Sequence, residues 1–132
     1  MSNLVAIIDD SPTVRKVIET CLRRENYQVI AFNNGIEALR WYVENKQSPI
    51  PALIFLDIEM PKMDGYQVAR YLKARPLFAN TTIIMISRRN GVIDRLKARL
   101  SGVDAYLTKP MPTHEILAIV QEHLGVLVAA TT

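Results

Sequence analysis

At 132 residues the chain can fold as one compact domain, burying roughly two-thirds of its unfolded surface, and leaves no room for a second domain of useful size. Hydrophobic residues at 49% and charged residues at 22% exclude a disordered or fibrous chain. The net charge of +3 comes from basic residues that are scattered, with no tract interleaved with aromatics, so direct nucleic-acid binding is not expected.

The first apolar run, LVAII from Leu4 to Ile8, is too short for a membrane span or a signal-peptide core and leads into Asp9 and Asp10. Ser11 as N-cap and Pro12 at the first helical position then predict a helix over 12–25. Cys21, the single cysteine, lies within it and reads as a packing residue, which suits a reducing cytoplasm. YQVIAF is the weakest of the strand runs and is placed nearer a sheet edge.

A second helix is predicted over 36–45, ended by Pro49 and Pro51, and ALIFLD follows as a strand closing on Asp57. Gly65 opens a third helix over 65–74, stopped before Pro76. TTIIMIS is a fourth strand ending at Ser87. In the helix after it, Val92, Leu96 and Leu100 recur every fourth residue on one stripe, with Arg95 and Arg99 on the other face and Gly102 as a stop. AYLTK is a fifth strand ending at Lys109. The last helix is predicted from Thr113 as its cap, burying Ile116, Leu117, Val120 and Leu124, with His114 and His123 at the surface. Beyond Gly125 the apolar tail 126–132 could extend that helix, pack in a dimer or stay disordered.

Strands alternating with helices imply βα repeats and a parallel sheet covered on both faces. Ligands of such sheets bind beyond the carboxyl ends of the strands, where this chain places Asp9, Asp10, Asp57, Ser87 and Lys109. An aspartate after a strand is by itself an ordinary turn former. Three of them within ~4 Å would repel by about 4 kcal/mol per pair at an effective dielectric of about 20, a sum comparable with a domain's stability. Lys109, proton uptake and a hard divalent cation can offset this, and magnesium suits a carboxylate cluster without histidine or cysteine. Such a cluster fits phosphoryl transfer, with a carboxylate as nucleophile and a hydroxyl able to donate to the transferred group.

The acidic pair Asp9-Asp10, the run LDIEMPKMDG, Ser87 after an apolar strand, and YLTKP resemble the CheY-like response-regulator receiver family, over nearly the whole chain. The YLTKP run and the GVIDRLKARLSG helix are similar to those of stand-alone regulators of chemotaxis and twitching motility. The resemblance implies a flavodoxin-like α/β fold, a doubly wound five-stranded sheet of order 2-1-3-4-5, filling residues 1–125. It implies that Asp57 accepts phosphate from a sensor histidine kinase or phosphotransfer protein. Asp10, Asp57 and the Glu59 backbone carbonyl would hold Mg²⁺, with Asp9 acting largely through water and Lys109 on the phosphoryl group. Ser87 and Tyr106 would be coupled switch residues, and the bond before Pro110 a candidate cis peptide.

Arg88 is bulky beside the switch serine, and Glu59 and Arg89 flank the pocket with opposite charges that could govern water entry. Output would pass through the fourth helix, fifth strand and fifth helix to a downstream protein, using Arg88, Arg95, Arg99 and Tyr106, in a monomer or weak dimer. A haloacid-dehalogenase-like phosphatase also forms an aspartyl phosphate, but its motif follows the first strand. A pseudo-receiver conflicts with the full acidic set and nucleotide binding lacks a glycine-rich loop, while a receiver excised from a larger DNA-binding regulator stays open as an alternative, although 132 residues leave no room for an effector domain.

Overall fold

The computed structural model describes residues 3–89 and 91–125. Five strands, β1 (Leu4–Ile8), β2 (Gln28–Phe32), β3 (Leu53–Asp57), β4 (Thr82–Ser87) and β5 (Ala105–Thr108), alternate with five helices. The helices are α1 (Pro12–Arg24), α2 (Gly35–Glu44), α3 (Gly65–Lys73), α4 (Val92–Leu100) and α5 (Thr113–Leu124), with a 3-10 turn at Pro76–Phe78. All pairings are parallel, in the order β2-β1-β3-β4-β5. The weakest apolar run, β2, lies at an edge, and β3, buried throughout, lies at the centre.

Successive side chains of a strand point to opposite faces, and this divides the core in two. Ala6, Ile8, Ile54, Leu56, Ile83 and Met85 pack against Ala38, Val68, Leu72 and Ala98 of α2, α3 and α4. Val5, Ile7, Leu53, Phe55, Ile84 and Ile86 pack against Ile18 and Leu22 of α1 and Ile116 and Val120 of α5. Cys21 lies in the second cluster with its Sγ 3.6 Å from the Thr113 carbonyl oxygen, and burial pushes its thiol pKa up. No helix among the described residues is long and apolar enough to cross a membrane.

Helix starts follow their caps. Ser11 Oγ accepts from the Val14 N–H, and Asn34 Oδ1 accepts from the Glu37 N–H. Asp64 and Gln67 form a reciprocal capping box at α3. Thr113 is not the cap of α5: Pro112 takes that position with no side-chain bond, and Thr113 is the first helical residue. Gly65 is required by close approach more than by backbone conformation, since a Cβ there would lie 2.3 Å from the Asp57 carbonyl oxygen. The entry of α3 is thereby pressed against the end of β3.

The stripe on α4 marks the helix but not its buried face. Val92, Leu96 and Leu100 are 81%, 49% and 76% exposed, Ile93 is 63% exposed, and the helix buries Ala98 instead. Residues 126–132 lie outside the described residues, and the alternatives set out for the tail with them.

Candidate functional site

The carboxyl ends of β1, β3 and β5 bring Asp9, Asp10, Asp57 and Lys109 together. One carboxylate oxygen from each aspartate lies within 4.8 Å of the others. Lys109 Nζ is 2.7 Å from Asp9 Oδ2 and 3.3 Å from Asp57 Oδ1. A cavity of about 220 Å³ opens over them, lined by Asp10, Ser11, Asp57, Glu59, Arg88 and Lys109 among others.

The aspartates differ in surroundings. Asp9 is fully buried; its Oδ1 accepts from the Ser11 N–H at 2.8 Å, and its Oδ2 meets Lys109 charge to charge, without hydrogen-bond geometry. Arg15 Nη1 donates to the Asp9 carbonyl oxygen at 2.6 Å and so holds the loop after β1 in place. Asp10 is exposed. Asp57 is 3% exposed, and its Oδ1 accepts from the Glu59 N–H at 3.3 Å. Burial first, and the Asp9 charge second, push its pKa up from 3.8 to about 6, against the pull of Lys109 and the Glu59 N–H.

Three carboxylates against one ammonium leave an excess of negative charge on oxygen donors, the chemistry a hard divalent cation meets. The exposed Asp10 beside the buried Asp9 and Asp57 completes a set of three carboxylates that fits such an ion.

Ser87, fully buried at the end of β4, does not line the cavity; its Oγ accepts from the Arg89 N–H at 3.0 Å. The Tyr106 hydroxyl donates to the Arg89 carbonyl oxygen, and the Arg95 guanidinium sits 5.3 Å from the centre of the Tyr106 ring. The Arg89 side chain pairs with Glu59 at 3.5 Å and with Asp94 of α4 at 3.7 Å, and Arg88 is exposed on the cavity wall. The Lys109–Pro110 peptide bond is cis.

Sequence reasoning missed Ser11 on the cavity wall, Arg15 behind Asp9, and Asp94 as the second partner of Arg89. Asp94 stands in the first turn of α4, where helical spacing gives no sign of its tie across the loop to Arg89.

A family model described as the response regulator receiver domain matches residues 5–121. The chain belongs to this family. Among curated relatives, protein PilG of Pseudomonas aeruginosa is 38% identical over 120 residues, covering 91% of this chain and 86% of that protein. Sensor histidine kinase CheAY of Helicobacter pylori is 34% identical over 121 residues; the match covers 92% of this chain but only 15% of the kinase. Among solved structures, the receiver domain of sensor histidine kinase PA1611 from Pseudomonas aeruginosa superposes with a TM-score of 0.81 at 27% identity, covering 95% of this chain and 99% of that one. That structure carries a magnesium ion in its active-site cleft. This chain is therefore a receiver domain of the two-component signalling type, and the phosphatase reading has no support beside it.

Proposed function

We propose that this receiver is phosphorylated on Asp57 by a phosphohistidine donor, either a sensor histidine kinase or a phosphotransfer protein, and that the change is read by a downstream protein. The observation that supports this best is the meeting of three carboxylates and one ammonium over a small open cavity at the strand ends. An Asp57 carboxylate oxygen forms the new bond to phosphorus as the bond from phosphorus to the donor imidazole breaks, and the imidazole keeps the electron pair and takes up a proton. Lys109 contacts the phosphoryl oxygens.

Asp10, Asp57 and the Glu59 backbone carbonyl would hold Mg²⁺, with Asp9 acting largely through water, and the bound ion would offset charge on the phosphoryl oxygens. The chain's own chemistry is gain and loss of this phosphoryl group, in the cytoplasm, as a monomer or weak dimer.

The backbone of Arg89, whose N–H donates to Ser87 Oγ and whose carbonyl oxygen accepts from the Tyr106 hydroxyl, couples site to surface. A phosphoryl group that draws the Ser87 hydroxyl inward pulls on this backbone, and Tyr106 moves with it. The readout face is α4, β5 and α5, where Val92, Leu96 and Leu100 stand exposed beside Arg88, Arg95, Arg99 and Tyr106.

The decisive test is incubation with acetyl phosphate and Mg²⁺ followed by intact mass. Wild type gains one phosphoryl group and Asp57→Ala gains none; a gain that persists in the variant removes Asp57 from the mechanism.

The Glu59–Arg89 pair, each side chain about half exposed at 53% and 54%, contributes under about 1 kcal/mol to stability. Its proposed effect is kinetic: spanning the mouth, it slows water entry and lengthens the phosphorylated lifetime. Glu59→Ala and Arg89→Ala should each shorten that lifetime a few-fold, on the order of 1 kcal/mol of barrier. Identical decay curves for wild type and both variants would remove the pair from this role.

A further inference from the structure

The helices run back from the strand ends that carry Asp57, so the ends of α2 and α3 and the 3-10 turn gather at the opposite end of the sheet. There they leave an open cleft of about 400 Å³, walled by Tyr42, Val43, Tyr71, Leu77 and Phe78. Val43 and Leu77 are 61% and 60% exposed, so the apolar surface continues past the rim.

The polar groups at this cleft have one sign. Lys46 and Arg75, both exposed, line it with no carboxylate beside them, and neither is ion-paired among the described residues. The Arg75 guanidinium is held 4.2 Å from the centre of the Tyr71 ring, so little freedom is lost when it meets an anion. The Tyr42 ring packs edge-on against Phe78 at 5.4 Å, and its hydroxyl is buried with no hydrogen-bond partner. A ligand oxygen brought within reach of such a hydroxyl gains a hydrogen bond that no protein group supplies.

We propose that this cleft docks a segment of a protein partner in which a bulky apolar side chain is flanked by carboxylates. The anchor fills the space between Tyr42 and Leu77, the carboxylates meet Lys46 and Arg75, and an oxygen of the segment accepts from the Tyr42 hydroxyl. A compact small acid would leave the apolar shoulder of Val43 and Leu77 uncovered, and two isolated cations are too few to track a nucleic-acid backbone. The cleft lies at the opposite end of the sheet from Asp57, so a docked partner leaves phosphorylation free.

The test uses the intact chain, ¹⁵N-labelled, titrated with two synthetic peptides that share a Leu-Phe centre. One is flanked by glutamates and the other by lysines, and sodium octanoate is titrated separately. The glutamate peptide should shift amide signals around Val43, Tyr71 and Leu77, and the lysine peptide should not. Lys46→Glu with Arg75→Glu, both at exposed positions, should weaken binding about tenfold or more, and Leu77→Asp should abolish it. Tyr42→Phe should weaken binding several-fold while the melting temperature stays level or rises, an outcome a purely structural tyrosine would not give. Equal binding of the two peptides, binding of octanoate without the peptide, shifts centred on another face, or affinity unchanged in the charge-reversed variant would each overturn the proposal.

Discussion

Lys109→Ala should destabilise the metal-free protein by about 3–5 kcal/mol at pH 7, read from urea denaturation in EDTA by the fluorescence of Trp41, the single tryptophan. The reason lies in what the lysine leaves behind. Its ammonium is the one cation paired with Asp9 and Asp57 among the described residues, and both carboxylates are almost completely withdrawn from water. A buried ion pair is an uncertain source of net stability when whole, but removing one partner strands the other at full desolvation cost.

Three further results follow from the same cause. Acid should lessen the loss, because protonated carboxyls no longer need the ammonium. Mg²⁺ should restore part of it. In an Asp57→Asn background the cost should shrink by more than about 1 kcal/mol, since residues in one charge network do not act additively. A loss below about 1 kcal/mol, or one of equal size in both backgrounds, would show that Lys109 does not hold the cluster together.

The strands and the strand-end chemistry were legible in the sequence because each apolar run is short and stops on a group that cannot be buried alone. Asp9, Asp57, Ser87 and Lys109 each stand at or just past such a stop, and a parallel sheet carries all such stops to one edge. Tyr106 inside β5 has no such mark, and its bond to the Arg89 carbonyl depends on a loop path that periodicity does not describe. Periodicity also fails to say which side of a helix is covered. The stripe of Val92, Leu96 and Leu100 has the spacing of a buried face, yet the small Ala98 makes the contact with the core while the large residues stay in water.

Gly65 shows the same boundary from another direction. In the sequence it marks only the opening of the third helix, whereas the operative constraint is the Asp57 carbonyl 2.3 Å from where a Cβ would sit. That distance joins residues eight apart in sequence but pressed together in space, and no local pattern contains it.

Asp57→Asn, which replaces the buried carboxylate by a neutral amide, should make the metal-free protein more stable than wild type at pH 7, by up to roughly 3 kcal/mol. Burial and the neighbouring Asp9 charge raise the Asp57 pKa to about 6 from 3.8. Between those two values the folded protein holds a proton that the unfolded chain has released, so wild-type stability falls as pH rises through this window and levels off above it. Below about pH 4 the group is protonated in both states and the advantage of asparagine should vanish. Above about pH 6 it should be complete. Mg²⁺ should then close the gap from the wild-type side, because an ion bound only by the folded state stabilises it in proportion to occupancy, and the variant has one carboxylate fewer in the cluster. Matched stability curves from pH 4 to pH 8 in EDTA, for wild type and variant, measure the difference directly. A wild type that gains stability relative to Asp57→Asn across that rise in pH would mean that Lys109 outweighs burial, and that the pocket holds an ionised aspartate comfortably without metal.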